Sequence, residues 1–313
     1  MREILFIVRS AGFRKQRFCF RGFFSLCAKT SLNLSRIMDI ILAKSAGFCW
    51  GVQRAVEKAR QLSREGNRTI WVDGPLIHNQ QMMDQLKAEG IQETQHPETL
   101  KDGTLMIRAH GIPPARRAFL QNLSCQLMDA TCPDVARIQG IIRKHARQGY
   151  AVIIYGDAGH AEVTGLLGFA EKGGFVVSRT ADVDGLPPLD PVCLVSQSTQ
   201  FPAAYEEIAA AVQRRFPQVK VLDTICASTK RRQAELSEIA QQADAIVIVG
   251  DRHSANTLRL VELARSLKPT FHVQTADQLN PADFKTFQRV GLSAGASTPA
   301  FIIDAVKARL ETF

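Results

Sequence analysis

The sequence predicts an α/β protein built from three similar lobes in a pseudo-threefold arrangement. Short β-branched runs alternate with helical patterns along most of the chain, which is typical of parallel or mostly parallel sheets flanked by helices. A unit of about ninety residues also recurs three times. Each unit has one cysteine at the same place, and Cys49, Cys132 and Cys226 are 83 and 94 residues apart.

Each unit begins with a strand that leads into its cysteine. We predict these strands at residues 40–43, 127–129 and 219–223. Apolar residues then recur at helical spacing, as at Val52, Val56, Ala59 and Leu62 after the first cysteine. The same spacing follows the other two, at Val135, Ile138 and Ile142 and at Leu236, Ile239, Ala240 and Ala243. Each cysteine is therefore expected at the start of a helix.

Two further strands in each unit end at polar corners where another helix begins. The second strands are predicted at residues 69–72, 151–155 and 245–249, and the third strands end shortly before His110, Ser198 and Ser297. Ligands gather at the carboxyl ends of parallel strands, so a pseudo-threefold arrangement would direct all these corners toward one central cavity. Incidental polar loops are the alternative, but they do not explain a cysteine at the same place in every unit.

The predicted lobes are residues 39–132, 133–222 and 223–313, with residues 39–50 placed either in the first lobe or against the third. Residues 1–38 are a basic N-terminal extension outside the fold, because they show no helical or strand period. They carry eight basic groups and one acidic group. Translation beginning at Met38 is the favoured interpretation, and an organelle transit peptide is the alternative. We expect a cytoplasmic protein, or one in a plastid or another organelle if the segment is a transit peptide.

The charge distribution argues against a nucleic-acid partner. The chain has a formal net charge of +9, but residues 1–38 account for +7, which leaves +2 on the other 275 residues. No apolar run approaches the roughly 20 residues that a membrane span needs, so no membrane role is expected.

The cysteines favour a metal centre over disulfides, since seven cysteines occur without a secretion signal. Cys125 and Cys193 are predicted to be small core residues. The positive helix ends are expected to lower the pKa of Cys49, Cys132 and Cys226 and favour thiolate. Three thiolates from distant segments suit an iron–sulfur cluster with one open iron, that is, an iron without a protein ligand. They suit zinc less well, because structural zinc sites usually have four protein ligands.

The polar corners offer a second chemistry, the binding of phosphate groups at helix N-termini. The candidate donors are His78, Asn79, His110, Ser254, Asn256 and Ser297. No Gly-rich nucleotide motif follows a strand. Glu162 lies two residues after His160 and is a candidate proton donor. His96, His145 and His272 lack such a position in the repeat and are interpreted as structural.

An ordered set of motifs over residues 39–313 resembles 4-hydroxy-3-methylbut-2-enyl diphosphate reductase, the last enzyme of the non-mevalonate isoprenoid route. The motifs are Gly47-Phe48-Cys49-Trp50-Gly51-Val52, Ile77-His78-Asn79, Ala109-His110-Gly111, Asp129-Ala130-Thr131-Cys132-Pro133, Gly159-His160-Ala161-Glu162, Ile225-Cys226 and Ala294-Gly295-Ala296-Ser297-Thr298-Pro299.

The resemblance implies a three-lobed α/β fold around a central [4Fe-4S] cluster held by Cys49, Cys132 and Cys226. It implies an allylic diphosphate substrate bound by His78, His110, His160, Ser198, Thr199, Ser254, Asn256 and Ser297. The substrate hydroxyl would reach the open iron, and Glu162 would deliver the proton that lets this hydroxyl leave the substrate as water. Two electrons from a donor such as flavodoxin or ferredoxin would yield isopentenyl and dimethylallyl diphosphate.

Several residues depart from the family's usual pattern, among them Ser196 and Ser198, where threonine is usual. Ala255 and Asp157 stand where a serine and a histidine are common, and Ala161 replaces a proline. Trp50 replaces a small residue beside the first cysteine and is expected to narrow the cavity. These changes bear on substrate range and rate more than on the reaction class.

Two other functions fit an open-iron cluster. A hydro-lyase would remove hydroxide without net reduction, and it would need no external electron donor. A non-enzymatic iron–sulfur redox sensor would lack affinity for diphosphate. The polar corners predict such affinity and therefore argue against a sensor.

Overall fold

The computed structural model describes residues 38–66, 69–171 and 173–313, so the expectations for residues 1–37 lie outside the described chain. The strands are β1 Asp39–Leu42, β2 Ile70–Asp73, β3 Ile91–Thr94, β4 Thr104–Ile107, β5 Gln126–Asp129, β6 Ala151–Tyr155, β7 Gly174–Val177, β8 Val192–Ser196, β9 Val219–Val221, β10 Ala245–Val249, β11 Thr270–Val273 and β12 Arg289–Ala294. The helices are α1 Trp50–Glu65, α2 Gln80–Ala88, α3 Pro114–Gln121, α4 Pro133–Arg147, α5 Ala161–Leu167, α6 Thr180–Asp184, α7 Pro202–Arg215, α8 Ala227–Gln242, α9 Ala255–Leu267 and α10 Ala300–Leu310.

The strands form three parallel four-stranded sheets with the same order of strands. The first lobe has the order β3-β2-β4-β5, the second β7-β6-β8-β9 and the third β11-β10-β12-β1. β1 lies in the third sheet because Asp39–Leu42 pairs with residues 289–292 of β12. The prediction of three similar α/β lobes is confirmed.

Cys49, Cys132 and Cys226 each lie in a connection between two lobes. α1 carries the chain from the third sheet to the first, α4 from the first to the second, and α8 from the second to the third. The predicted apolar faces hold these helices on the sheets. Ala55, Val56 and Ala59 of α1 pack with Ile70 and Val72 of β2, for example.

The order of strands also places a switch point in each sheet, between its two central strands. The connections leaving β2 and β4 run to opposite edges of the first sheet, and the same holds for β6 and β8 and for β10 and β12. Such switch points open a crevice at the carboxyl ends of the strands. The polar corners of the sequence follow these six strands.

The sheet interiors are almost continuous apolar runs, as parallel strands covered on both faces require. All five residues of β10 are buried, and so are those of β8. In the described part of the chain, no helix combines the length and apolar character needed to cross a membrane.

Candidate active site

Cys49, Cys132 and Cys226 line one central cavity, which has about 780 Å³ of empty volume, part of it open to solvent. Each cysteine is the residue before a helix, and its side chain makes no capping hydrogen bond. All three are partly exposed free thiols. The Cys226 sulfur lies 3.1 Å from the Thr229 hydroxyl. Three thiols from three lobe boundaries are thus available to one bound group.

The expected lowering of the cysteine pKa values is wrong for two of the three thiols. Burial raises the pKa of Cys132 to about 11, although the backbone N–H groups of Asp134 and Val135 act in the opposite direction. Burial also raises the pKa of Cys49, and the neighbouring Cys226 adds to the effect. Desolvation outweighs the helix end here. A metal centre supplies the positive charge that buried thiolates need, since a coordinating thiol is deprotonated.

The spacing of the thiols fits a cluster better than a single ion. Among the described residues, only His78, His110 and His160 bring three candidate ligand atoms within 4.8 Å of one another. Because the three cysteine sulfurs do not form such a group, at least one pair of them lies more than 4.8 Å apart, beyond the roughly 3.8 Å that Zn–S bonds of about 2.3 Å imply in a tetrahedral site. Gly51 lies close to this space, because a Cβ atom there would stand 2.5 Å from the Cys132 sulfur.

Three histidine rings form a second group in the same cavity. His78 and His110 follow β2 and β4 at the first lobe's switch point, and His160 precedes α5 in the second lobe. Their ring centroids are 4.6 Å apart for His78 and His110, 6.0 Å for His78 and His160, and 5.7 Å for His110 and His160. Cavity-lining donors from two lobes thus face one space.

Burial keeps these histidines neutral. It lowers the pKa of His160 to about 4, and repulsion from His78 adds to the effect. Burial also lowers the pKa of His78, with a contribution from Arg108, and the pKa of His110 falls well below its usual value. At neutral pH the rings are hydrogen-bond donors without a full charge.

The hydrogen bonds fix which ring nitrogen of His160 carries the proton. Its Nδ1 accepts a bond of 3.1 Å from the backbone N–H of Glu162, so the proton of the neutral ring lies on Nε2. Nδ1 of His110 is buried and has no partner among the described residues. A buried polar atom without a partner costs free energy, which a bound ligand can recover.

The third lobe adds hydroxyl and amide groups from its own switch point. Ser254 caps α9 and accepts from the N–H of Thr257 at 3.4 Å. The Ser297 hydroxyl donates to the carbonyl of His78 at 2.8 Å, which ties the third lobe to the first. Asn256 accepts from the N–H of Ala296 at 3.0 Å through its side-chain oxygen, which leaves the amide NH₂ as a donor.

Glu162 is buried, with 2% of its surface exposed, and both its oxygens are held by Ser198. The Ser198 N–H lies 2.6 Å from Oε1, and its hydroxyl lies 2.7 Å from Oε2. Burial raises the pKa of Glu162, while the two bonds from Ser198 act against this. A carboxyl group with a raised pKa retains its proton closer to neutral pH, as a proton donor must.

All twelve residues of the predicted site line this one cavity. They are Cys49, Cys132, Cys226, His78, His110, His160, Glu162, Ser198, Thr199, Ser254, Asn256 and Ser297. Asn79, the further phosphate donor suggested by the sequence, does not line it. Its side chain caps α2 by accepting from the N–H of Met82 at 2.8 Å.

Two buried arginines near the site were not predicted. Arg232 donates to the carbonyls of Gly47, at 3.0 Å, and Ala294, at 2.9 Å, which surround the segment before Cys49. Arg259 forms an ion pair of 2.5 Å with Asp157 and so joins the third lobe to the second. Neither position is marked in the sequence, since an arginine inside an amphipathic helix is usually solvated.

The residues set aside as structural lie elsewhere. Cys125 and Cys193 are in hydrophobic cores, as predicted. His145 and His272 bond to backbone carbonyls of Ile141 and Gly250, and His96 pairs with Glu98.

Comparisons with known proteins agree on one family. A family model described as LytB protein matches residues 40–311. The 4-hydroxy-3-methylbut-2-enyl diphosphate reductase of Opitutus terrae is 46% identical over 88% of this chain and 99% of its own length. A solved structure of the reductase described as the terminal enzyme of the non-mevalonate pathway is 37% identical, with a TM-score of 0.68, and covers 88% of this chain and 100% of the other. The Plasmodium falciparum E-1-hydroxy-2-methyl-but-2-enyl-4-diphosphate reductase structure is 27% identical, with a TM-score of 0.81, over 85% and 86%.

Proposed function

The chain belongs to the LytB protein family, and from this premise we propose how its own residues carry out the reaction of a 4-hydroxy-3-methylbut-2-enyl diphosphate reductase. The reaction replaces a C–OH bond of an allylic diphosphate with C–H and releases water, at the expense of two electrons and two protons. The observation that carries the proposal is that three thiols, three neutral histidines and one buried carboxyl group line a single cavity.

We assign the three thiols of Cys49, Cys132 and Cys226 to a [4Fe-4S] cluster. At least one pair of their sulfurs is too far apart for a single zinc ion, and none of the three side chains caps its helix by a hydrogen bond. When bound, such a cluster supplies electrons and an iron without a protein ligand that attracts the substrate's oxygen. Buried Arg232 contributes a positive charge near Cys49 and Cys226, and this charge acts against the burial that raises the pKa of Cys49.

The diphosphate is assigned to the histidine, serine and asparagine side chains that line the cavity. His78, His110 and His160 donate hydrogen bonds as neutral rings, and Ser254, Asn256 and Ser297 add donors at the start of α9 and the end of β12. The N-terminus of α9 adds a favourable field for an anion. Hydrogen bonds to charged groups contribute about 1.5–3 kcal/mol each, so a few of them suffice for firm binding. The hydroxyl of Thr199 lines the same space.

Glu162 is assigned as the proton donor to the departing hydroxyl. Hydroxide is a poor leaving group, so the C–O bond breaks readily only when the oxygen is protonated. The carboxyl group is buried, has a raised pKa and is fixed in position by Ser198. A rigid, protonated carboxyl group beside the substrate is what general acid catalysis requires.

The electrons come from a reduced carrier such as flavodoxin or ferredoxin, and a cytoplasmic location accompanies this assignment. A hydro-lyase would not need the carrier. A redox sensor would not need a cavity with six polar donors from three lobes. The names of the relatives also favour the reductase over both.

The test is anaerobic purification, iron and sulfide analysis, and a product assay with dithionite and a viologen. We expect about four irons per chain, and isopentenyl and dimethylallyl diphosphate only when the reductant is present. Turnover without reductant would favour the hydro-lyase, and a cluster without diphosphate binding would favour the sensor.

A further inference from the structure

The residue that follows each cysteine is exposed, although the cysteine itself lines the central cavity. These residues are Trp50, Pro133 and Ala227, the first residues of α1, α4 and α8. Trp50 is the large one and is 49% exposed. A half-exposed tryptophan offers a large apolar surface together with an indole N–H, a combination that is enriched at protein contact surfaces.

An arginine stands five residues after each of the three cysteines that line the cavity. Arg54, Arg137 and Arg231 are each four residues after the exposed first residue, so they share its helix face. Arg137 and Arg231 are exposed, and Arg54 is half-buried, with a bond of 3.3 Å to the carbonyl of Thr131. We call Trp50, Pro133, Ala227 and these three arginines the cysteine face.

The charge of the chain is concentrated on the three helices that carry this face. α1, α4 and α8 have formal net charges of +2, +3 and +1. Residues 39–313 have a net charge of only +2, so the remainder of the fold is acidic by four charges. The positive N-termini of the three helices add to this field. The three helices that carry the cysteine face are therefore basic, whereas the rest of residues 39–313 is acidic.

A surface groove connects this face with the first cysteine. Trp50, Arg231 and Lys44 line it together with Cys49, and Trp50 and Cys49 also line the central cavity.

Two acidic residues, Glu235 and Glu238, lie along the same groove. Glu235 is already engaged by the N–H groups of Lys44 and Ser45, at 2.6 and 2.9 Å, and Glu238 is twelve residues beyond Cys226. On the other two helices Asp134 and Glu57 are the nearby acids.

We propose that the cysteine face is the docking surface for an acidic electron-carrier protein, with Trp50 as its apolar anchor. The inference rests on the proposed function, since only a redox protein with a cluster at these cysteines needs such a partner. Electron transfer slows exponentially with distance, and this face lies one residue from each proposed ligand. An aromatic anchor within a charged rim is the usual composition of an interaction hot spot. A reduced flavin or iron–sulfur carrier with an acidic surface has the complementary charge.

The test compares two electron sources with the complete reconstituted protein. One source is an acidic flavodoxin in its reduced form, and the other is dithionite with methyl viologen, a small molecule that needs no docking surface. The variants are Arg137→Glu and Arg231→Glu. The matched control is Arg214→Glu. Arg214 is an exposed residue in the last turn of α7, which leads to the amino end of β9, whereas the cavity lies at the carboxyl ends of the strands.

We expect KM for flavodoxin to rise about tenfold in Arg137→Glu and Arg231→Glu, as for a charge reversal at an interface rim. Arg214→Glu should stay near wild type, and viologen-driven turnover should be unchanged in all three. Wild-type kcat/KM for flavodoxin should also fall with ionic strength, and less so in the two variants. Equal flavodoxin KM values in all three variants would overturn the proposal, and so would an equal loss of viologen-driven turnover. A wild-type protein inactive with viologen contradicts the proposed function itself, before any carrier is added.

Discussion

Ser198 holds both carboxyl oxygens of Glu162, through its backbone N–H at 2.6 Å and its hydroxyl at 2.7 Å. The two hydrogen bonds favour the ionised carboxylate, whereas burial favours the protonated form. The pKa of Glu162 is raised, so burial has the larger effect. Ser198 therefore fixes the position of the proposed proton donor, while burial keeps the pKa of Glu162 above its usual value.

Replacing Glu162 by Gln should lower turnover by about 10²–10⁴-fold, because an amide keeps the hydrogen bonds but cannot supply the proton. Iron content and substrate binding should be retained. Single-turnover kinetics on the anaerobic protein measures the effect, with Glu206→Gln on the surface of α7 as a control. Near-normal turnover in Glu162→Gln would remove this residue from the proton-donor role.

The pH dependence of kcat follows from the same carboxyl group. Only its protonated form donates, so kcat should fall as pH rises through the raised pKa of Glu162. Ser198→Ala removes the hydroxyl bond that favours the carboxylate, so the pKa should rise further and this fall should move to higher pH. A fall that moves to lower pH, or does not move at all, would contradict the assignment.

Replacing His78 or His110 by Ala should chiefly weaken substrate binding. Each loses a hydrogen bond to a charged group, of about 1.5–3 kcal/mol, which corresponds to roughly 10- to 150-fold in Kd. Binding of the diphosphate substrate to the anaerobic protein can be measured by calorimetry. His96→Ala is the matched control, since this ring is exposed and pairs with Glu98 outside the cavity. An equal effect of all three changes would show that the histidine group of the cavity has no special role.

A protein that begins at Met38 should keep its cluster and full activity. The family match begins at residue 40 and β1 at Asp39, so every element described here remains. Iron content and viologen-driven turnover of the shortened protein check this. Loss of either would show that residues 1–37 contribute to the fold or to the site.

The repeat made the lobes predictable from the sequence. A strand, a cysteine and an apolar helical face recur in each unit, and local periodicity is a strong signal for such elements. The corners at His78, His160 and Ser254 could be assigned to one cavity because parallel strands present their carboxyl ends to the same side.

What the sequence could not show depends on how the lobes pack. The pKa of Cys132 rises because the folded chain buries its thiol, which no local sequence pattern reports. Asn79 has the residue type and position of a phosphate donor, yet its side chain is used in capping α2. Arg259 resembles a surface arginine in the sequence, but its partner Asp157 is 102 residues away.

The central claim is that Cys49, Cys132 and Cys226 hold the cluster, and its most direct test is the iron content and roughly 400 nm absorption of single cysteine variants purified without oxygen. We predict that Cys49→Ser, Cys132→Ser and Cys226→Ser each lose the absorption and most of the iron. Cys125→Ser and Cys193→Ser, which alter buried core thiols, should keep both. A Cys226→Ser protein that retains its cluster while Cys125→Ser loses it would contradict the account.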